Sequence, residues 1–445
     1  MRSFYNTLFT FFFWLASPYY FLKMWRRGNW REGFGQRFGK YGARLKLALT
    51  NRHVLWMHAV SVGEVNVCTQ LIRALEPRVP NLKIVVSTTT STGMAELQRK
   101  LPSHIQKIYY PIDTHRYVSR ALTVLNPEAV VLVEAEIWPN FLWRLKDKRI
   151  PVFLVNARLS ERSCRGYRRF GFLFRPLFRS LAGVGAQNQT DAAKLRELGC
   201  KSAVIQVVGN LKYDAAKLEE RRLLDVPALL RQLGVPAGAH ILLGGSTHAG
   251  EEAILAELFL RLRARHPDLF LIIVPRHQER GGEAGRDVGA RGVKFIYRSE
   301  VTAQTQLAPG AIDCLLVNTT GELRFFYEHA TVIFVGKSLT AQGGQNPIEP
   351  AALGKAIVFG PNMQNFASIS AAFVTQRGAV QVKDAPELEK AVSELLADEA
   401  RRTELGRNAV KVVKANLGAI ERTVEMIVNH LEGGELYVAP EKQGP

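Results

Sequence analysis

The chain alternates short, nearly uninterrupted apolar runs with longer amphipathic segments, and it does so in two successive series. The first series is VLWMHA (54–59), KIVVSTT (83–89), KIYYP (107–111), AVVLVEAE (129–136), PVFLVNA (151–157), GVGAQN (183–188) and VIQVVGN (204–210). The second is ILLGGST (241–247), LFLIIVPRH (269–277), VKFIYRS (293–299), CLLVNTT (314–320), TVIFVGKS (331–338), AIVFGP (356–361) and AVQVKD (379–384). Runs of Val, Ile and Leu without polar alternation predict strands buried on both faces, the condition of a parallel sheet covered by helices. Two such series predict two doubly wound, Rossmann-like α/β domains, with ligands at the carboxyl ends of the strands and in the cleft between the halves. The domains are expected at 23–210 and 241–432, joined by a charged, strandless connection at 211–240 and followed by a flexible tail at 433–445. A chain of 445 residues is long enough for two cores.

The net charge of +19 is unevenly placed. Residues 1–50 carry nine Lys/Arg against one acid, and residues 141–182 carry eleven against two. Clustered basic charge predicts a polyanionic partner, either nucleic acid or an anionic membrane and its lipids. The N-terminus favours the membrane. Residues 3–22 are uncharged and Phe-rich, and Lys23, Arg26, Arg27, Arg31 and Arg37 follow them, with Trp25 and Trp30 interspersed as at a membrane interface. Residues 1–22 therefore read as a membrane anchor, spanning or lying in the interface, with no partner in the α/β domains. The basic residues Arg26, Arg27, Arg31 and Arg37 form a patch for membrane or acceptor. No helix-turn-helix, RRM or zinc-finger pattern accompanies the charge, so no nucleic acid is expected. Four scattered cysteines, without CxxC or HExxH, predict neither a disulfide framework nor a metal site.

Several strand-to-helix turns carry candidate chemistry. In HAVSVGE (58–64), Ser61 and Glu64 have the spacing of a capping box, and Glu64 also stands where a doubly wound fold places its active groups. Both roles remain open on the residues alone. Glu134 and Glu136 close an apolar strand, either paired with the basic segment Arg144–Arg149 or serving as supporting carboxylates beside Glu64. In the second series, Pro275 and Arg276 end a buried strand, where a guanidinium suits phosphate or carboxylate. Thr320, Gly321 and Glu322 follow another strand. Asn346 is expected to cap a helix starting at Pro347, with Ile348 and Glu349 in its first turn, a place for phosphate and ribose hydroxyls. Ser246 and Thr247 stand at a further helix entrance. None of these turns is GxGxxG or a P-loop.

Taken in order, HAVSVGE, STTTSTG, VEAEIWPN, NARLSERS, AQNQTDAAK, GNLKYD, GSTHAGEE, VPRHQER, TTGEL and GGQNPIEPAA resemble the Kdo transferases of lipopolysaccharide synthesis over nearly the whole chain. The resemblance implies the GT-B fold and transfer of 3-deoxy-D-manno-octulosonic acid (Kdo) from CMP-Kdo to a lipid A precursor. It implies Glu64 as proton acceptor, with Glu134 and Glu136 in support. CMP contacts fall on Pro275, Arg276, Thr320, Gly321, Glu322, Asn346, Pro347, Ile348 and Glu349, and further donor contacts on Ser246, Thr247 and Lys212. Where family members often read Glu-Thr-Glu, this chain has Glu134-Ala135-Glu136. No cofactor or metal is implied, and the expected location is the cytoplasmic face of the inner membrane. The competing expectations are another GT-B nucleotide-sugar transferase or epimerase, and a non-catalytic membrane-bound nucleotide-binding protein.

Overall fold

The computed structural model describes residues 2–26, 31–134, 136–216 and 224–431. The chain divides into two compact units, one of residues up to Ala215 together with the C-terminal helix Ala419–Leu431, the other of Ala216–Asn416.

The first unit is built on seven strands: β1 (His53–His58), β2 (Leu82–Thr88), β3 (Gln106–Tyr109), β4 (Pro127–Val133), β5 (Val152–Ala157), β6 (Gly183–Ala186) and β7 (Ile205–Val207). They form one parallel sheet in the order β3-β2-β1-β4-β5-β6-β7. Successive residues of a strand feed opposite cores. Val54, Trp56, Val130 and Leu132 enter one apolar cluster, and Leu55, Met57, Val131 and Val133 enter the other. Burial on both faces is why these runs have no polar alternation. The second unit repeats the plan with β8 (Ile241–Thr247), β9 (Phe270–Pro275), β10 (Phe295–Tyr297), β11 (Cys314–Leu316), β12 (Val332–Val335), β13 (Ala356–Phe359) and β14 (Val380–Gln381). Its parallel sheet runs β10-β11-β9-β8-β12-β13-β14. All fourteen strands coincide with the apolar runs of the sequence.

The expected boundaries move at three places. The helix Ala419–Leu431, assigned from sequence to the second domain, packs Val424, Ile427 and Val428 into a core of the first unit. Asp214 ties it there by accepting from the backbone N–H groups of Gly418 (2.7 Å) and Ile420 (2.6 Å). The expected connection at 211–240 is also shorter. Leu211–Ala216 is a 3-10 turn with Leu211 buried in the first unit, while the helix Val226–Gln232 buries Val226, Leu229 and Leu230 and lies in the second. The tail at 433–445 and Arg27 lie outside the described residues.

The N-terminal segment forms one helix, Arg2–Arg26, and it has a partner after all. Tyr5 packs on the first core, edge-on to Trp143 at 5.6 Å. Its hydroxyl donates to Asp113 (2.8 Å), whose carboxylate also accepts from the N–H groups of Asn140 (3.0 Å) and Phe141 (2.9 Å) at the start of helix Pro139–Asp147. Asn6 accepts from Asn140, and Arg2 forms a two-pronged pair with Asp147. The sequence reading missed these contacts because their partners lie more than a hundred residues away. The rest of the helix leaves Phe11, Trp14, Leu15 and Tyr19 each more than half exposed. No helix of the described residues is long and apolar enough to cross a membrane.

Candidate active site

In the first unit the strand order reverses between β1 and β4, which are hydrogen-bonded neighbours. The turns after these two strands carry Glu64 and the pair Glu134 and Glu136, so the topology brings together three carboxylates that the sequence separates by seventy residues. Glu64 is 8% exposed in the first turn of helix Val62–Leu75. The Ser61 hydroxyl accepts from its backbone N–H (3.3 Å) and donates to its Oε1 (2.8 Å), and the Val60 N–H donates to Oε2 (2.8 Å). The capping box is real, and the second bond reaches Val60 rather than Ser61. Capping does not exclude chemistry here. Burial pushes the Glu64 carboxyl up to about 7, against the opposing pull of those two hydrogen bonds, and Glu134 and Glu136 push the same way. A carboxylate held this way is a base that titrates near neutrality.

The two neighbours are positioned differently. Glu136 is half-buried, accepts from the Trp138 indole N–H (2.8 Å), and is also raised, first by burial. Glu134 adopts the left-handed backbone region (φ 62°), and its carboxylate lies 3.7 Å from the Lys212 ammonium. Pairing with the Arg144–Arg149 segment does not occur for either acid, since Arg144 turns to Ser119 and Asp147. Lys212, expected among the donor contacts, therefore stands beside Glu134 in the first unit. A polar chain places it: Gln187 donates to the Asn156 carbonyl, Asn210 donates to the Gln187 side chain, and the Lys212 N–H donates to Asn210. That chain explains why the motifs containing Asn156, Gln187 and Asn210 surround the site. His58 of the same opening motif is no acid or base: it is buried, stacked on Tyr110 at 4.0 Å, and pushed down to about 3 by burial.

The basic patch is only partly a patch. Arg31 is exposed. Arg37 donates to the Thr89 carbonyl (2.8 Å) and lies over the Tyr109 ring at 4.2 Å, so it is a half-buried wall residue rather than a free surface charge. Arg26 ends the N-terminal helix.

In the second unit the predicted residues line the carboxyl ends of β8, β9, β11 and β12. Pro275 is buried at the end of β9, and the exposed Arg276 follows, its N–H donating to the Thr247 carbonyl (3.0 Å). Thr320 donates to Gln278 (2.6 Å), joining the turn after β11 to that after β9. Gly321 holds a left-handed φ of 87°. Glu322 is already engaged, by Arg298 (3.2 Å) and the Thr319 hydroxyl. The expected helix at 347 starts one residue later, at Ile348, and runs only to Ala352. Asn346 serves as a local turn, accepting from the Ile348 N–H (3.1 Å) and donating to Glu349 (3.1 Å). With five residues that helix has little dipole to offer a phosphate. Ser246 and Thr247 end β8 rather than entering a helix, which begins at Glu251. The Thr247 hydroxyl is buried and donates to Glu252 (2.8 Å).

Two features escaped the sequence reading. Glu251, fully buried, accepts from the N–H groups of His248, Lys337, Ser338 and Leu339 and so clamps the turn after β12 to that after β8. Glu252 does the same for the turn after β9 through Arg280 (2.9 Å). Lys337, in the Gly-Lys-Ser sequence after β12, brings a cation to this edge next to His248. Gly336 before it admits no side chain, because a Cβ there would sit 2.4 Å from the Ser246 carbonyl oxygen. Among the described residues no group of three or more His, Cys, Asp and Glu is disposed to hold a metal ion.

Two successive doubly wound units, each a seven-stranded parallel sheet, define the GT-B-type fold class. The UDP-GlcNAc 2-epimerase of Neisseria meningitidis, solved with UDP-GlcNAc, shares this fold: 15% identity, a TM-score of 0.57, and coverage of 85% of this chain and 100% of that one. Within the class, residues 32–215 match the family described as "3-Deoxy-D-manno-octulosonic-acid transferase (kdotransferase)". The 3-deoxy-D-manno-octulosonic acid transferase of Bordetella pertussis is 33% identical over 93% of this chain and 97% of its own length. That of Haemophilus influenzae is 30% identical over 91% and 92%. The chain belongs to the 3-deoxy-D-manno-octulosonic acid transferase family of glycosyltransferases.

Proposed function

We propose that this protein transfers Kdo from CMP-Kdo to a hydroxyl of a lipid A precursor, lipid IVA, in lipopolysaccharide synthesis. The observation that carries the reading is Glu64: a carboxylate at the strand-order reversal of the first unit, held by two donors and titrating near 7. A sugar hydroxyl is a poor nucleophile until a base takes its proton as the new bond forms. Glu64 takes that proton, the acceptor oxygen bonds to the anomeric carbon of Kdo, and the bond from that carbon to the CMP phosphate oxygen breaks. The electron pair leaves on CMP. One displacement of this kind inverts the anomeric centre and needs no covalent intermediate. Glu134 and Lys212 form a paired charge beside the base. In the second unit Arg276 and Lys337 are the cations at the sheet edge where CMP and the Kdo carboxylate would bind, and fixed positive charge of this kind stabilises a departing anion without a metal.

The exposed aromatic face of the N-terminal helix and the exposed Arg31 after it support attachment in the membrane interface, which we place at the cytoplasmic face of the inner membrane as part of this reading. The test is mass spectrometry of lipid IVA incubated with CMP-Kdo and purified protein, with and without EDTA. A product heavier by one or more Kdo units, formed in both samples, is expected. Activity restored only by added Mg²⁺ refutes the metal-free step. Turnover of UDP-sugars with none of CMP-Kdo assigns the protein to another nucleotide-sugar reaction.

A further inference from the structure

The second half of the N-terminal helix, the turn Phe34–Phe38 and the loops after β2 and β3 line an open cavity of about 790 Å³ in the first unit. That volume lies within the range of small-molecule sites. Its walls are largely apolar, with Phe13, Phe21, Phe34 and Ile112 among them, and Thr89, Thr90 and Ser91 close one end. The polar end adjoins the base. The Thr90 hydroxyl donates to the Val60 carbonyl (3.1 Å), and the N–H of the same Val60 holds Glu64. The cavity therefore runs from a hydrocarbon-like interior to the residues that fix the base.

We infer that this cavity binds an acyl chain of the acceptor lipid, so that the protein reads the acceptor's hydrocarbon as well as its sugar. The inference rests on the acceptor reading above. Three observations select a hydrocarbon chain. Most of the lining is apolar and offers a polar ligand few partners, and its one carboxylate, Glu32, accepts from Gln98 (3.1 Å) and would repel an anion. The one guanidinium in the wall, Arg37, is committed to the Thr89 carbonyl and the Tyr109 ring, which leaves an anionic occupant poorly served. The helix that forms one wall turns exposed Phe11, Leu15 and Tyr19 outwards and sets exposed Trp14 at the cavity's border, so a chain entering from a bilayer crosses from lipid to cavity along an apolar surface. An amphiphile fits this continuity: the chain goes inside, and the head group stays at the Thr90–Glu64 end.

The experiment measures acceptor KM against acyl-chain length, using lipid acceptors trimmed by successive methylenes down to the deacylated phosphorylated disaccharide. Full-length wild-type protein should show KM rising roughly fourfold per methylene lost from the bound segment. Ala16→Trp, from the helix wall, and Ile112→Trp, from the loop after β3, each place an indole in the cavity. Both should flatten that dependence, with the change confined to acceptor KM and not donor KM. If both variants keep the wild-type slope, the cavity is not the chain site and the inference fails. A second measurement is independent of turnover. An acceptor bearing a diazirine at its acyl terminus should label peptides containing Phe13–Phe21 or Tyr109–Ile112, and unlabelled acceptor should suppress the label. Label suppressed equally by bulk phospholipid, or absent from both peptides, overturns acceptor recognition there. Wild-type protein that transfers Kdo to neither acylated nor deacylated acceptor refutes the transferase reading instead, and the labelling still decides the cavity.

Discussion

Replacing Glu64 with glutamine should abolish transfer and, at alkaline pH, make the first unit more stable than the wild type. In the folded chain the carboxyl titrates near 7 instead of 4.5, chiefly because burial penalises the charged form. A folded-state pKa above the unfolded one means that the native state holds the proton more tightly. The associated stability is fully present below about pH 4.5 and is lost as pH rises through about 7. At about 1.4 kcal/mol per pKa unit, the ionised side chain costs on the order of 3 kcal/mol at pH 8. Glutamine is neutral at every pH, can still accept from the Val60 N–H, and can donate to Ser61, so Glu64→Gln escapes this cost while keeping the cap. All six tryptophans lie at or before Trp143, so tryptophan fluorescence in urea reports on the first unit alone. The stability difference between variant and wild type should grow in the variant's favour by about 3 kcal/mol between pH 4.5 and pH 8. In the same window wild-type kcat/KM should fall tenfold per pH unit below about pH 7, as the base becomes protonated. A stability difference that does not change with pH would mean that Glu64 is well solvated. A kcat/KM profile flat from pH 5 to 8 would remove it from the proton transfer.

The other expectations concern residues placed by the remaining turns. Arg276→Ala should weaken CMP binding by about 1.5–3 kcal/mol, the worth of a charge-assisted hydrogen bond, and unchanged affinity in calorimetry would make Arg276 an ordinary surface residue. Glu251→Ala strips the acceptor from four backbone N–H groups, each costing about 1–3 kcal/mol if left unpaired. Hydrogen exchange at residues 337–339 should accelerate and CMP affinity should drop; full protection there would refute the clamp. Tyr5→Phe removes one of the three donors to buried Asp113 and should lower the stability of the first unit by about 1–3 kcal/mol, read by the same tryptophan signal. No loss would mean that the Tyr5–Asp113 hydrogen bond contributes nothing to that core.

Much of this molecule is decided locally. A strand buried on both faces must be apolar at successive positions, so the fourteen strands are legible as runs in the sequence, and two series of runs mean two sheets. The cap at Glu64 is equally local, since Ser61 and Glu64 are one helical turn apart. The order of motifs along the chain was enough to indicate the family.

The tertiary structure decided the rest, because the forces involved act between segments far apart in sequence. Only the pairing of β1 with β4 brings Glu134 and Glu136 to Glu64, and only the volume packed around Glu64 raises its carboxyl to near neutrality. Composition at residue 64 contains neither fact. Arg37 and Lys212 read alike as available cations. Folding commits the first to a carbonyl and an aromatic ring, and places the second beside a carboxylate. The Phe-rich run at residues 3–22 was visible in the sequence, but not what would cover it, nor which unit the C-terminal helix would join. Tyr5 finds Asp113 and Trp143, and the helix Ala419–Leu431 finds the first core, because burying those surfaces lowers the free energy wherever a matching apolar face exists, regardless of chain separation.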